Sequence, residues 1–208
     1  MTKLTSRKKR PLDRKSTHIR DSKLIVIATE GSITERIYFE SFRLNNIKVR
    51  VIPSEDGQSS PEHVLDNALK YKIQFDLGIG DELWLVIDVD RWPLKTLSQV
   101  AAKSRAAKIG LAVSNPSFEV WLALHFDAYL PDTVNNPTLI EHLRSQLGSY
   151  NKHRYEVSTI IKGLDTAIKR ARELDLSPKD RWPLSVGSRC YKIAQSFGTG
   201  RRKGPTVA

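Results

Sequence analysis

The sequence predicts an α/β fold: a mostly parallel sheet of about four strands flanked by helices, followed by a C-terminal helical extension. Three observations carry this. Short, β-branched apolar runs alternate with amphipathic segments four times between Leu24 and Phe126. The runs are continuously apolar, as in strands covered on both faces. Beyond Pro131, apolar residues recur only at helical spacing.

The elements follow in order. Leu24-Ile25-Val26-Ile27-Ala28 reads as the first strand and Thr29-Glu30-Gly31-Ser32 as a turn. Ile33, Ile37, Tyr38 and Phe42 then form a helical stripe between Glu35, Arg36 and Glu40, with Glu35 expected at the surface. Lys48 to Pro53 is a second strand and Ser54 to Ser60 a polar loop; Pro61 opens a helix running to about Leu77. Leu83 to Ile87 is a third strand, ending in Asp88-Val89-Asp90, and a helix covers about 94–107. Ile109 to Val113 is the fourth strand. Ser114-Asn115-Pro116-Ser117 introduces a mostly apolar helix through Phe126, with Ser114, Asn115 or Ser117 as caps. In the extension the clearest helix covers about 158–174, where Ile160, Ile161, Leu164, Ile168, Ala171 and Leu174 share a stripe; a shorter one covers Ser188 to Phe197.

The expected organisation is a basic tail at 1–23, an α/β domain at 24–130, a helical extension at 131–197 packed on it, and a basic tail at 198–208. Asp-Arg-Trp-Pro-Leu occurs twice, at 90–94 and 180–184, but the flanks differ and the pentapeptide is not read as a structural repeat.

Composition narrows the function classes. The chain has 208 residues, 27% charged and 39% hydrophobic, enough for a real core without disulfides. No apolar run approaches the ~20 residues of a membrane helix, and no secretory signal is expected after the basic N-terminus. The lone Cys190 excludes an intramolecular disulfide and a Cys-rich zinc site, so a reducing cytoplasm is the expected compartment. The net charge of +11 resides mostly in the tails: residues 1–23 hold nine Lys/Arg against two Asp, and the C-terminal tail holds Arg201, Arg202 and Lys203. Such tails either neutralise nucleic-acid phosphates or are simply solvated. Walker A, dinucleotide-binding, zincin and nucleophile-elbow motifs are all absent.

In an open α/β sheet, ligands bind beyond the carboxyl ends of the strands. Glu30 follows the first strand, Asp88 and Asp90 the third, and Glu119 the fourth. In extended chain, Asp88 and Asp90 point to one face. Paired carboxylates repel unless a proton or cation lies between them, so the pair reads as a divalent-cation site or as two turn caps. Gly31 permits either a positive φ or a close approach by another group. Glu30 beside it is placed to exchange a proton, or is an ordinary acid at a helix start. Glu119, in an apolar setting, either completes a metal site or pairs with an arginine such as Arg91. Arg91 suits a phosphate or a plain salt bridge. His125 reads as a core histidine before a catalytic one. Lys162, Lys169, Arg170 and Arg172 on the other faces of the 158–174 helix read as a solvated helix face.

Strand-Glu30-Gly31 followed by strand-Asp88-Val89-Asp90 resembles the Toprim catalytic domain of topoisomerases, primases and several nucleases. With Glu30-Gly31-Ser32-Ile33-Thr34-Glu35, Tyr38-Phe39-Glu40 and Ser114-Asn115-Pro116-Ser117-Phe118-Glu119-Val120-Trp121-Leu122-Ala123-Leu124-His125-Phe126, the chain resembles the RloB-like family of anti-phage loci. The match spans about 24–126 and continues weakly to 188–197. Where the chain has Thr29 before Glu30, the family more often has cysteine. The resemblance implies a Toprim-like fold, with Glu30 as general acid/base and Glu119 as an accessory acid. It further implies Mg²⁺ or Mn²⁺ on Glu30, Asp88 and Asp90, and cleavage of phosphodiesters in RNA, possibly tRNA, or DNA. An ABC/OLD-type ATPase encoded nearby is the implied controlling partner, in an abortive-infection role. Arg91, Lys162, Lys169, Arg170, Arg201, Arg202 and Lys203 would meet the nucleic acid. The alternatives are a non-catalytic module that binds nucleic acid or an ATPase, and a phosphatase with Asp88 as nucleophile. The latter class normally carries its acidic pair on the first strand.

Overall fold

The structure is a computed structural model and describes residues 22–54, 59–75, 77–126 and 129–198. Most of the two basic tails, with Arg201, Arg202 and Lys203, lies outside the described residues.

Four parallel strands, β1 (Lys23–Thr29), β2 (Ile47–Pro53), β3 (Glu82–Asp88) and β4 (Gly110–Asn115), form the sheet, and β5 (Gly187–Ser188) adds an antiparallel edge, in the order β2-β1-β3-β4-β5. The helices are α1 (Thr34–Glu40), α2 (Pro61–Gln74), α3 (Leu94–Ala106), α4 (Phe118–Ala123), α5 (Asn136–Leu147), α6 (Val157–Lys162), α7 (Leu164–Leu174) and α8 (Cys190–Ser196). The two-residue side-chain period of the strands sorts the apolar residues into two cores. Ile25 and Ile27 of β1, Val86 of β3 and Ala112 of β4 face α1, α4 and the C-terminal helices. Val26, Ala28, Leu83, Leu85, Ile87 and Val113 face α2 and α3. Every central strand is thus buried on both sides, which is why its sequence does not alternate.

Two expectations for the extension are corrected. It is not helix alone, because Gly187 and Ser188 pair with Asn115 and Ser114 to close the sheet edge. The stripe at 158–174 is also two helices, α6 and α7, broken at Gly163. The break has a steric cause. A Cβ on Gly163 would lie 1.9 Å from the backbone oxygen of His125, so only glycine lets this turn meet the end of α4. Gly163→Ala should therefore force apart two backbone segments and lower stability by about 1–3 kcal/mol, readable as a fall in the denaturation midpoint at unchanged slope. The helix starting at Ser114 is shorter than expected: α4 begins after Ser117 and ends at Ala123. The Asn115–Pro116 bond before it is cis.

Helix α5 carries its own start and stop. Asn135 accepts from the Thr138 N–H at 3.0 Å while Thr138 Oγ1 accepts from the Asn135 N–H at 3.0 Å, a reciprocal cap. Gly148 ends the helix with φ 74°. Leu139 and Leu143, one turn apart, bury its inner face.

Candidate active site

The strand order reverses between β1 and β3: the chain moves from β1 outward to β2, then returns to the other side of β1. Crevices at such a reversal lie beyond the carboxyl ends of the two strands. Here a cleft of about 170 Å³ opens, lined by Glu30, Glu35, Asp88, Asp90 and Glu119, with Arg91, Ser117, Asn136 and Lys152 among its other walls.

Glu30 is brought directly to Asp88. Its backbone N–H continues the β1–β3 pairing by donating to the Val86 carbonyl at 3.1 Å. Its Oε2 accepts from the Asp88 N–H at 3.2 Å, and its Oε1 from Trp92 Nε1 at 2.9 Å. Burial raises its pKa, opposed by these two bonds and by Arg91. Asp88 is the last residue of β3, so Asp90 sits in the following turn rather than in extended chain. The premise that both acids share a strand face is therefore not met, yet both line the cleft. The turn is held by Val89 and Asp90 N–H groups donating to the Pro116 carbonyl, each at 3.2 Å. Asp90 Oδ2 accepts from Asn136 Nδ2 at 2.6 Å.

Asp88 is the electrostatic anomaly of the cleft. Its Oδ1 is buried with no hydrogen-bond partner. Burial, then the charges of Glu35, Glu30, Glu119 and Asp90, raise its pKa well above the carboxylate range. Among the described residues, no three His, Cys, Asp or Glu side chains form a ready-made cage for a metal ion. Mg²⁺ needs only one or two carboxylates and keeps several waters, so the orphaned Asp88 oxygen, with Glu30 beside it, fits a divalent cation without such a cage.

Glu119 pairs with Lys152 rather than Arg91: Lys152 Nζ lies 2.8 Å from its Oε1. Ser117 Oγ donates to its Oε2 at 2.8 Å and Tyr150 OH to its Oε1 at 3.4 Å. Of the other predicted cations, Arg91 lines the cleft while Lys162, Lys169 and Arg170 do not. Arg170 donates through Nη1 to the carbonyls of Leu124 and Phe126 beyond the end of α4. Lys169 shares its surface with Asp165, Arg172 and Glu173, a mixed-charge patch. His125 is a core histidine. Its Nδ1 lies 2.8 Å from the Trp121 carbonyl, which can only accept, so Nδ1 carries the proton and Nε2 accepts from Tyr38 OH at 2.9 Å. Burial pushes its pKa down to about 4.

Glu35 is not a surface residue but is buried in the cleft wall. It shares the inner face of α1 with Tyr38 and Phe39, three and four positions on, and that spacing was the available signal. Gly31 makes room for it: the Gly31 N–H donates to Glu35 Oε1 at 3.1 Å, and a Cβ on Gly31 would lie 2.0 Å from Oε2. Gly31 thus serves by close approach and not by a positive φ.

Burial, reinforced by the Glu119 and Glu30 charges, pushes the Glu35 pKa from 4.5 up to about 7. An acid whose pKa is higher folded than unfolded binds more protons in the native state. Its contribution is therefore fully present below pH 4.5 and is lost as pH rises toward 7. Glu35→Gln keeps an acceptor for Gly31 without the charge. In metal-free buffer it should exceed the parent in stability by up to about 3 kcal/mol at pH 8 and match it near pH 4. Denaturant unfolding at the two pH values measures this, and equal stability differences at both would contradict it.

The repeated pentapeptide has two different uses at one end of the sheet. In the first copy, Asp90 and Arg91 line the cleft and Trp92 orients Glu30. In the second, the Pro183 carbonyl accepts from Asn115 Nδ2 at 3.1 Å. Trp182 is buried in the α2/α3 core, against which Trp92 also packs.

Fold and cleft together define a doubly wound α/β protein with a carboxylate-rich pocket at its strand-order reversal. The family described as RloB-like protein matches residues 25–196, and the chain belongs to that family. Comparisons with curated proteins and with solved structures gave no match. No helix among the described residues is long and apolar enough to cross a membrane.

Proposed function

We propose that this chain is the nuclease of an anti-phage defence system: a Mg²⁺- or Mn²⁺-dependent, Toprim-type hydrolase of phosphodiesters in RNA or DNA, controlled by an ABC/OLD-type ATPase partner. The observation that carries the reading is the buried, unpartnered Asp88 Oδ1 among five carboxylates at the β1/β3 crevice. Membership of the RloB-like family supports it.

Asp88, Asp90 and Glu30 are the residues to hold the cation. When bound, it supplies Lewis-acid stabilisation of phosphate charge and an activated water. Glu30 is the general acid/base. Its carboxylate is oriented by Trp92 and the Asp88 N–H, and burial raises its pKa above the ordinary carboxylate value. Glu119, oriented by Ser117, is the accessory acid in the same cleft. Arg91 at the cleft, the exposed Lys162 and Lys169, and the basic tails attract the polyanion.

The lack of a ready three-carboxylate cage among the described residues is what the alternative, a non-catalytic binding module, would also display. Metal separates the two. With Mn²⁺, the purified protein, alone or with the product of the neighbouring gene, should rise in melting temperature and cut RNA or DNA. Glu30→Gln should abolish the cutting. Equal cutting by parent and Glu30→Gln, or no thermal response to Mn²⁺, would reject the hydrolase reading.

A further inference from the structure

We infer that the connection between α5 and α6 is a phosphate-binding lip of the cleft, in which Lys152 takes a non-bridging oxygen of the bound phosphodiester and Arg154 the neighbouring phosphate. The inference rests on the nucleic-acid reading above but not on hydrolysis.

The connection is strapped across the cleft by side chains from both ends. Tyr150, almost fully buried, donates to Glu119 Oε1 at 3.4 Å. Tyr155 OH donates to the Thr34 carbonyl at 2.7 Å, and Thr34 Oγ1 donates in return to the Lys152 carbonyl at 3.0 Å. The two tyrosine rings lie 5.5 Å apart. Between them the chain makes a tight turn: the Arg154 N–H donates to the Asn151 carbonyl and the His153 N–H to Asn151 Oδ1, each at 2.9 Å. The backbone is therefore pinned to the site while the turn projects Lys152-His153-Arg154, with Arg154 exposed.

Electrostatics gives the lip its task. Five acidic side chains line the cleft, and those that are ionised repel a phosphodiester. Only Lys152 and Arg91 among the lining residues are cations. Lys152 lies 2.8 Å from Glu119 Oε1, but its side chain is 41% exposed on a flexible stem, so its ammonium can reach a phosphate at the cleft mouth. Glu119 keeps Ser117 and Tyr150 as donors when it does so.

The test is the salt dependence of binding. Fluorescence anisotropy with one oligonucleotide sequence, made as single-stranded RNA and as DNA, is measured in CaCl₂ at fixed low concentration while KCl is varied. Each phosphate contact contributes about 0.7 to the slope of log K against log salt for a single strand. Lys152→Gln/Arg154→Gln should lower the slope by about 1.4 on both oligonucleotides, while Lys152→Arg/Arg154→Lys should retain the parental slope. An unchanged slope in the Gln pair, equal loss in both pairs, or no binding by the parent would overturn the lip. The slope effect without any Mn²⁺-dependent cleavage would instead reject the hydrolase and leave the lip standing.

Discussion

Asp88→Asn is expected to remove the divalent-ion-dependent cleavage proposed above and, at the same time, to make the metal-free protein more stable at neutral pH. The two effects have one origin. Asp88 presents a buried carboxylate oxygen with no donor, surrounded by the charges of Glu35, Glu30, Glu119 and Asp90. Its pKa is raised above the unfolded value, so the native state loses stability as pH rises through the folded pKa. Asparagine deletes the charge that must be protonated or paired, and stability at neutral pH rises. The same substitution removes the negative charge best placed for a cation and leaves a neutral amide. Lewis-acid stabilisation is worth several kcal/mol at the transition state, so cleavage should fall on the order of a thousandfold. Parent and variant are compared by denaturant unfolding in EDTA, and by cleavage and thermal shift with Mn²⁺. A variant that is less stable in EDTA, or one that keeps its response to Mn²⁺, would show that Asp88 is a structural cap.

Arg189→Met carries the largest expected loss of stability. Arg189 and Asp175 are buried together, with Arg189 Nη2 2.9 Å from Asp175 Oδ1 and Nε 3.1 Å from Oδ2. Nη2 also donates to the Ser177 carbonyl at 2.7 Å, and Nη1 to that of Asp180. Tyr191 OH donates to Asp175 Oδ2 at 2.9 Å. The Arg189 N–H itself donates to the Val113 carbonyl at 2.9 Å, so this one residue joins β4, the 175–180 turn and the start of α8. Removing one partner of a buried pair strands the other charge, at about 3–5 kcal/mol. Arg189→Met should lose that much in urea unfolding, and adding Asp175→Asn should restore a large part, since the stranded charge is then gone. A single-variant loss below about 1 kcal/mol, or no recovery in the double variant, would contradict the account.

Much of the fold was legible because its rules are local. Runs such as Leu24–Ala28 and Leu83–Ile87 are short and continuously apolar, as in strands buried on both faces, and Pro61 marks its helix start through the ring's fixed φ. Part of the site was legible for the same reason. Parallel strands joined by helices all end at one edge, so acids directly after β1 and β3 share that edge, and the pairing of β1 with β3 makes Glu30 and Asp88 neighbours. The break at Gly163 was not legible, because it is set by the carbonyl of His125, far away in sequence. Trp92 gave no hint that it would hold Glu30, and Lys152 lay in a connection whose sequence shows no periodicity.

The sequence by itself determined the alternating architecture, the two-sided core and the edge on which the acids gather, because side-chain period and chain direction decide these without reference to distant residues. Only the tertiary structure decided the electrostatic state of the cleft. It buried Glu35 against Gly31, left Asp88 Oδ1 without a donor, and brought Lys152 across to Glu119. Burial and opposing charge depend on which distant segments close over a group, and no local pattern of residues records that.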